Sequence, residues 1–170
     1  MIVAASGHRP DKLGGYDQRT FNALADFALK WIDLQKPSGM IIGMALGWDT
    51  ACAVACTRLC LPWVAAVPFE GQDSQWGDRA RNDYEKLLLC ASTVHVVCER
   101  DVFEEVGPAW CMQKRNEWMV DNSGGVLALW NGDRSGGTFN CLEYAKLGRR
   151  QIKNLWAEWD SYYEGGGYLV

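Results

Sequence analysis

The chain has 170 residues, 48% hydrophobic and 22% charged, proportions ordinary for one domain with a substantial core. Its net charge of −4 provides no broad basic face for duplex DNA and argues against nucleic acid as a partner. Seven cysteines, an odd number without paired spacing, do not read as a disulfide framework, and no apolar run reaches the length of a membrane span.

Apolar runs alternate with helix-like runs along the chain. Ile2–Ala5 reads as a short buried strand. Gln18–Asp33 has helical periodicity, with Phe21, Leu24, Phe27, Ala28 and Trp31 on one side. Gly39–Met44 is a second strand and Thr50–Cys60, rich in Ala and Cys with no breaker, a second helix. Trp63–Val67 is a third strand stopped by Pro68, followed by a helix over Asp78–Cys90. Thr93–Val97 is a fourth strand, Ala109–Asn122 a helix, and Val126–Trp130 a fifth strand. Thr138–Leu147 is a helix closed by Gly148. The tail from Lys153, with Trp156, Trp159, Tyr162 and Tyr163, reads as an edge strand around Ile152–Trp156 or a docking segment (residues 151–170). Strands separated by helices of this size imply βαβ crossovers: an α/β fold with a mostly parallel sheet and helices on both faces. No linker interrupts the pattern, so residues 1–170 are expected to form a single domain.

Ligands of open parallel sheets bind beyond the carboxyl ends of the strands. The loop after the first strand carries Gly7, His8 and Arg9. Gly7 permits close backbone approach, and Arg9 suits a phosphate. His8 is either a proton carrier or a loop imidazole bonded to backbone. After the second strand come Gly43, Gly47 and Asp49, a turn that cradles a phosphate or ribose, with Asp49 also readable as a helix N-cap. After the third strand, Gln72 is placed to bond a base, and Phe69 or Trp76 either stacks on it or packs as a lid. Arg115 shares a helix face with Met112 and Met119, and is either a ligand-facing cation or paired with Glu117 or Asp121. The last loop, Ser135-Gly136-Gly137-Thr138, opens a helix whose first turn offers free N–H groups and which carries Glu143. Cys52, Cys56 and Cys60 recur every four residues. They read as an apolar stripe rather than thiolate ligands, and neither metal nor cofactor is expected.

Several segments, in order, resemble the YpsA-like branch of the SMF/DprA–LOG (SLOG) superfamily: Gly7-His8-Arg9-Pro10, Gly43-Met44-Ala45-Leu46-Gly47-Trp48-Asp49, Pro68-Phe69-Glu70-Gly71-Gln72, Arg115-Asn116-Glu117-Trp118-Met119 and Gly136-Gly137-Thr138. The resemblance covers roughly residues 1–150 and implies a Rossmann-like three-layer fold. More distantly, Met112, Arg115 and Met119, then Gly136, Gly137 and Glu143, are similar to the two signatures of the "lonely guy" phosphoribohydrolases.

These readings give three expectations. The first is a sensor or sequestering module for a nucleoside phosphate or an ADP-ribose-like ligand. The second is an N-glycosidase releasing base from nucleoside 5′-monophosphates, with Arg115 anchoring phosphate and Glu143 stabilising the oxocarbenium-like state or activating water. The third is single-stranded DNA binding as in DprA-like proteins. The resemblance implies a homodimer, with Trp110, Trp118 and Trp159 as candidates for an association patch. The amino-terminal stretch lacks a basic segment before an apolar run, so a cytoplasmic protein is expected.

Overall fold

Short runs of small and branched apolar residues build a six-stranded sheet in a computed structural model that describes residues 1–165. The strands are β1 (Ile2–Gly7), β2 (Gly39–Ile42), β3 (Trp63–Val67), β4 (Thr93–Val96), β5 (Gly125–Leu129) and β6 (Gln151–Asn154), in spatial order β4-β3-β2-β1-β5-β6. Every pairing is parallel; Ala5, for example, lies opposite Ile42 on one side and Leu127 on the other. The helices are α1 (Gln18–Gln35), α2 (Trp48–Arg58), α3 (Asp78–Cys90), α4 (Arg100–Asp121), α5 (Gly136–Leu147) and α6 (Trp156–Glu164), with a 3₁₀ turn at Pro10–Lys12. This is an α/β, Rossmann-like three-layer fold. No described helix is long and apolar enough to cross a membrane.

Strand alternation divides the interior into two cores. Ala5, Met40, Ile42, Ala65, Leu127 and Leu129 pack with α1, α2, α3 and α6, whereas Ala4, Ile41, Ala66, Val126 and Ala128 pack with α4 and α5. The order in which strands are added reverses between β1 and β5, so the loops after these strands flank a topological switch point.

Local chemistry sets the boundaries. Asp17 caps α1 by accepting from Thr20 N at 2.9 Å, and Lys36 ends it in the left-handed region. In α2, Ala51, Cys52, Ala53, Ala55 and Cys56 are all fully buried. Their small volumes let this helix lie close to the sheet while α1 and α3 stand higher on either side. The expected cysteine stripe is shorter than the spacing suggests, because Cys60 lies beyond the helix at φ 51° and is exposed. Among the described residues no cluster of three or more His, Cys, Asp or Glu is arranged to hold a metal.

Two further differences from the sequence reading have simple causes. α4 adds a helical segment from Arg100 ahead of the one expected from Ala109; the two meet at a kink where Gly107 (φ 76°, ψ 175°), followed by Pro108, leaves the helical conformation. The tail supplies both an edge strand, β6, and a docking helix, α6, whose Trp159 packs edge-on against Phe27 at 5.3 Å. Trp159 is therefore core, and Trp118 stacks on His95 at 4.2 Å; only Trp110 of the three candidate association tryptophans is largely exposed. Residues 166–170 of the expected tail lie outside the described residues.

Candidate functional site

The carboxyl edge of the sheet has two unlike halves. The first is a buried knot around Arg115. This arginine is 7% exposed, and its Nη1 donates to the Gly43 carbonyl and lies 3.6 Å from Asp49 Oδ2. Asp49 is buried as well and accepts from Ala45 N at 3.3 Å. Desolvation pushes the Asp49 carboxyl up to about 6, the Arg115 charge opposing it, while burial lowers the Arg115 pKa. Arg115 Nε has no hydrogen-bond partner among the described residues. The guanidinium thus fastens the β2–α2 loop from the opposite face of the sheet.

Glycines make that closeness possible. A Cβ on Gly43 would overlap the Arg115 guanidinium and approach Asp49 Oδ2 to 2.9 Å. A Cβ on Gly7 would meet the buried Trp48 ring at 2.5 Å, and Trp48 Nε1 donates to Leu127 O at 3.1 Å. Gly47, at φ 100°, leaves only 2.6 Å between its would-be Cβ and His8 O. Gly47, not Asp49, is the N-cap of α2: its N–H donates to Thr50 Oγ1 at 3.2 Å, and that hydroxyl donates back to Gly47 O at 3.1 Å. Met44 sits fully buried at φ 60° within this loop, a backbone state that non-glycine residues seldom adopt.

The second half is open. The β5–α5 loop is folded by its own short polar side chains: Asn131 Oδ1 accepts from Asp133 N at 3.0 Å, and Asp133 Oδ1 accepts from Ser135 N at 3.1 Å and Ser135 Oγ at 2.8 Å. Because Ser135 is engaged with Asp133, it gives no side-chain cap to α5. No side chain caps the first-turn amides at Gly136, Gly137 and Thr138, and that turn holds no acidic residue. Gly136 and Gly137 are exposed, and a Cβ on Gly136 would meet nothing within 4 Å. Phe139 stacks on Trp130 at 6.2 Å. Arg134 and Arg9 are exposed on the two loops flanking the switch point, and neither has an ion-pair partner among the described residues. Arg9 lies near enough to act electrostatically on both Asp49 and Arg115.

Three contacts join the halves. Asn116 Nδ2, beside Arg115 on α4, donates to Gly137 O at 3.2 Å. Lys12 bridges to Asp133. His8 is buried; its Nε2 accepts from Asn131 N at 3.1 Å and lies 2.7 Å from Asn131 Oδ1. Desolvation lowers the His8 pKa, partly opposed by the Asn131 side chain. His8 therefore has the backbone-bonded character of the simpler alternative.

Two expected site residues are engaged elsewhere. Gln72 Nε2 donates to Met44 O at 3.3 Å and to Tyr84 Oη at 3.1 Å, which ties loops together. Glu143 pairs with Lys146 at 2.6 Å on the partly exposed side of α5. Phe69 stacks on Phe103 at 4.4 Å and Trp76 meets Tyr84 edge-on, both as packing. Arg115 pairs with neither Glu117 nor Asp121; Lys114 takes Glu117 at 2.7 Å. Asn116, Asn131 and Arg134 escaped the sequence reading. Asn131-Gly132-Asp133 was nonetheless a turn signal, and Asn116 follows Arg115 directly.

The chain is similar to several known proteins. The chain is 36% identical over 163 residues to UPF0398 protein BH1768 of Halalkalibacterium halodurans, covering 88% of this chain and 82% of that one. It is 37% identical over 119 residues to the uncharacterized SPbeta prophage-derived protein YoqJ of Bacillus subtilis, covering 62% and 68%. Among solved structures it is similar to DNA processing protein A (DprA) of Streptococcus pneumoniae, with TM-score 0.58, 18% identity, and 89% of this chain against 49% of that one. DprA of Helicobacter pylori, described as having a unique single-stranded DNA binding mode, matches with TM-score 0.60, 13% identity, 91% and 64%. The chain thus spans about half to two thirds of these DprA chains, and what is shared is the fold. The expectation that nucleic acid is not a partner is corrected here: a protein of this fold is described as binding single-stranded DNA. Net charge sums the whole surface and does not describe the sheet edge, where Arg9 and Arg134 stand without ion-pair partners among the described residues. With the family model described as "YspA SLOG family" matching residues 3–154, the chain belongs to the YpsA family of SLOG proteins.

Proposed function

We propose that this protein binds single-stranded nucleic acid at the carboxyl edge of its sheet. The observation that carries the reading is the pairing of two exposed arginines without an ion-pair partner among the described residues, Arg9 and Arg134, with a helix N-terminus at Gly136–Gly137 that no side chain caps, across the β1/β5 switch point. Guanidinium forks and free amides are the donors that phosphate oxygens need. The fold shared with the Helicobacter pylori DprA supports the same reading. In this reading the buried Arg115–Asp49 pair shapes the loops, and Arg9, Arg134 and the α5 amides touch the backbone of the strand. The seven free cysteines, Cys60 and Cys90 exposed among them, support a reducing, cytoplasmic setting.

Fluorescence anisotropy with labelled oligothymidylate tests this. Binding should weaken with salt at about 0.7 logarithmic units per phosphate contacted, and the Arg9→Ala/Arg134→Ala pair should reduce both affinity and slope. Absence of binding at low salt overturns it.

A second reading, a single nucleoside phosphate or ADP-ribose-like ligand, is favoured by scale: two cations and one helix end suffice for one phosphate group on an otherwise acidic protein. A mononucleotide that competes with the oligonucleotide at equal concentration of phosphates selects this reading. Base release from nucleoside monophosphates has less support, because Glu143 is engaged with Lys146.

A further inference from the structure

A cleft of about 630 Å³ opens beside the loops that follow β1 and β2, between α1 and α3 and over α2. Its volume falls in the range of small-molecule sites. The walls are mainly apolar, with Phe21, Leu24, Val54 and Leu87 lining them and Tyr84 on the α3 side. The hydroxyls of Thr20, Thr50 and Tyr84 in this lining are already engaged. Thr20 Oγ1 donates to Asp17 Oδ2 at 2.7 Å, Thr50 Oγ1 is bonded to Gly47, and Tyr84 Oη accepts from Gln72. Such walls ask for a flat apolar surface more than for hydrogen-bonding groups.

Two features identify what that surface belongs to. Tyr16 lines the cleft at its lip, yet is 69% exposed, an aromatic side chain following two positive-φ glycines, Gly14 and Gly15. Pro10 and Gly47 form one end of the cleft. Arg9, the exposed cation, immediately precedes Pro10, and its Cα would lie 3.0 Å from a Cβ on Gly47. A ligand with a phosphate at Arg9 therefore has an aromatic-lipped apolar hollow next to it. Rim charges add no competing preference: Arg79 and Lys86 are balanced by Asp78 and Asp83.

Resting on the single-strand reading above, we infer that the α1–α3 cleft receives an unpaired base of the bound strand, with Tyr16 as the stacking platform. Stacking of this kind tolerates any base, because each has a π-face. The cleft is then the base-reading half of the site, and Arg9 marks where the backbone turns from the sheet edge into it.

The experiment uses the full chain and two labelled probes of about ten nucleotides, oligothymidylate and an abasic oligonucleotide of equal length and charge. Wild type should bind the thymidylate at least about tenfold more tightly than the abasic probe, as expected for a base stacked on an aromatic ring. Tyr16→Ala, at an exposed position, and Val54→Trp, which fills the cleft, should each remove most of that difference and leave the abasic affinity unchanged. A 5-iodouracil probe should photo-cross-link to Tyr16. If Val54→Trp fails to fold, Tyr16→Ala and the cross-link carry the test. Equal affinity for the two probes, with Tyr16→Ala silent and Arg9→Ala still weakening both, overturns this inference and leaves the single-strand reading standing. No binding of either probe overturns both. Sedimentation showing dimers that Tyr16→Ala dissociates would assign the cleft to a second copy of the chain and overturn the inference too.

Discussion

The β2–α2 loop and the β5–α5 loop lie at the same edge of one sheet, and both contain glycines at positive φ, yet they are built for different work. Gly47 at φ 100° is hemmed in by His8, Arg9 and Pro10, whereas Gly136 at φ 83° faces open space. The first loop spends its polar groups inward, with Arg115 on Gly43 and Asp49, and Thr50 on Gly47. The second spends its side chains on shaping itself and leaves its helix amides outward. A rich set of charged and glycine residues is thus no measure of ligand contact. What distinguishes scaffold from contact surface is whether those groups already have partners.

The largest test of this contrast removes the buried cation. Arg115→Met leaves Asp49 buried without its counter-charge and Gly43 O without its donor, so it should cost about 3–5 kcal/mol of stability in urea unfolding. A loss of nucleic-acid binding with unchanged stability would instead place Arg115 on the contact surface.

Next is the pH dependence of Asp49. Its carboxyl is raised from the usual carboxylate range to about 6, so between about pH 4 and 6 the folded state holds a proton that the unfolded state has lost. Wild-type stability from this group is therefore present at low pH and falls as pH rises through that window. Asp49→Asn abolishes the slope. Relative to wild type, the variant should gain on the order of 3 kcal/mol between pH 4 and pH 7, since each pH unit crossed inside the window is worth about 1.4 kcal/mol. A constant difference across the window would mean that Arg115 fully compensates Asp49.

A smaller effect compares the two glycines directly. Gly47→Ala combines left-handed backbone strain with a collision and should cost about 2–4 kcal/mol. Gly136→Ala carries the strain alone and should cost about 1–2 kcal/mol. Equal costs would erase the distinction between the crowded loop and the open one.

The smallest stability effects belong to the proposed contact surface. Arg9→Ala and Arg134→Ala should each stay within about 0.5 kcal/mol of wild type. Each should lower the salt slope of oligonucleotide binding by about 0.7.

Much of the architecture was legible along the chain. Unbroken burial in runs such as Gly39–Ile42, as a strand covered on both faces requires, and period-3.6 burial in Gln18–Gln35 are local consequences of backbone geometry. The motifs that carried the family resemblance also marked the loops that meet at the sheet edge. The roles within those loops were less accessible. Arg115 was read as facing a ligand; its contacts with Gly43 and Asp49 were not legible because both lie far upstream, Gly43 by 72 positions. Gln72 and Glu143 were read as facing a ligand, and their contacts with Met44 and Tyr84 and with Lys146 emerge only in the fold. Conversely, nothing in the local pattern singled out Arg134.

By itself, then, the order of residues determined the alternation of strands and helices, the parallel sheet they must form and the edge at which its glycine loops converge. These depend on local periodicity and on chain connectivity, both written in the sequence. Only the tertiary structure decided which charges at that edge have ion-pair partners among the described residues, and that a cleft opens between α1 and α3 above the small residues of α2. Pairing and empty space arise between segments distant in the chain, and no local spacing encodes them.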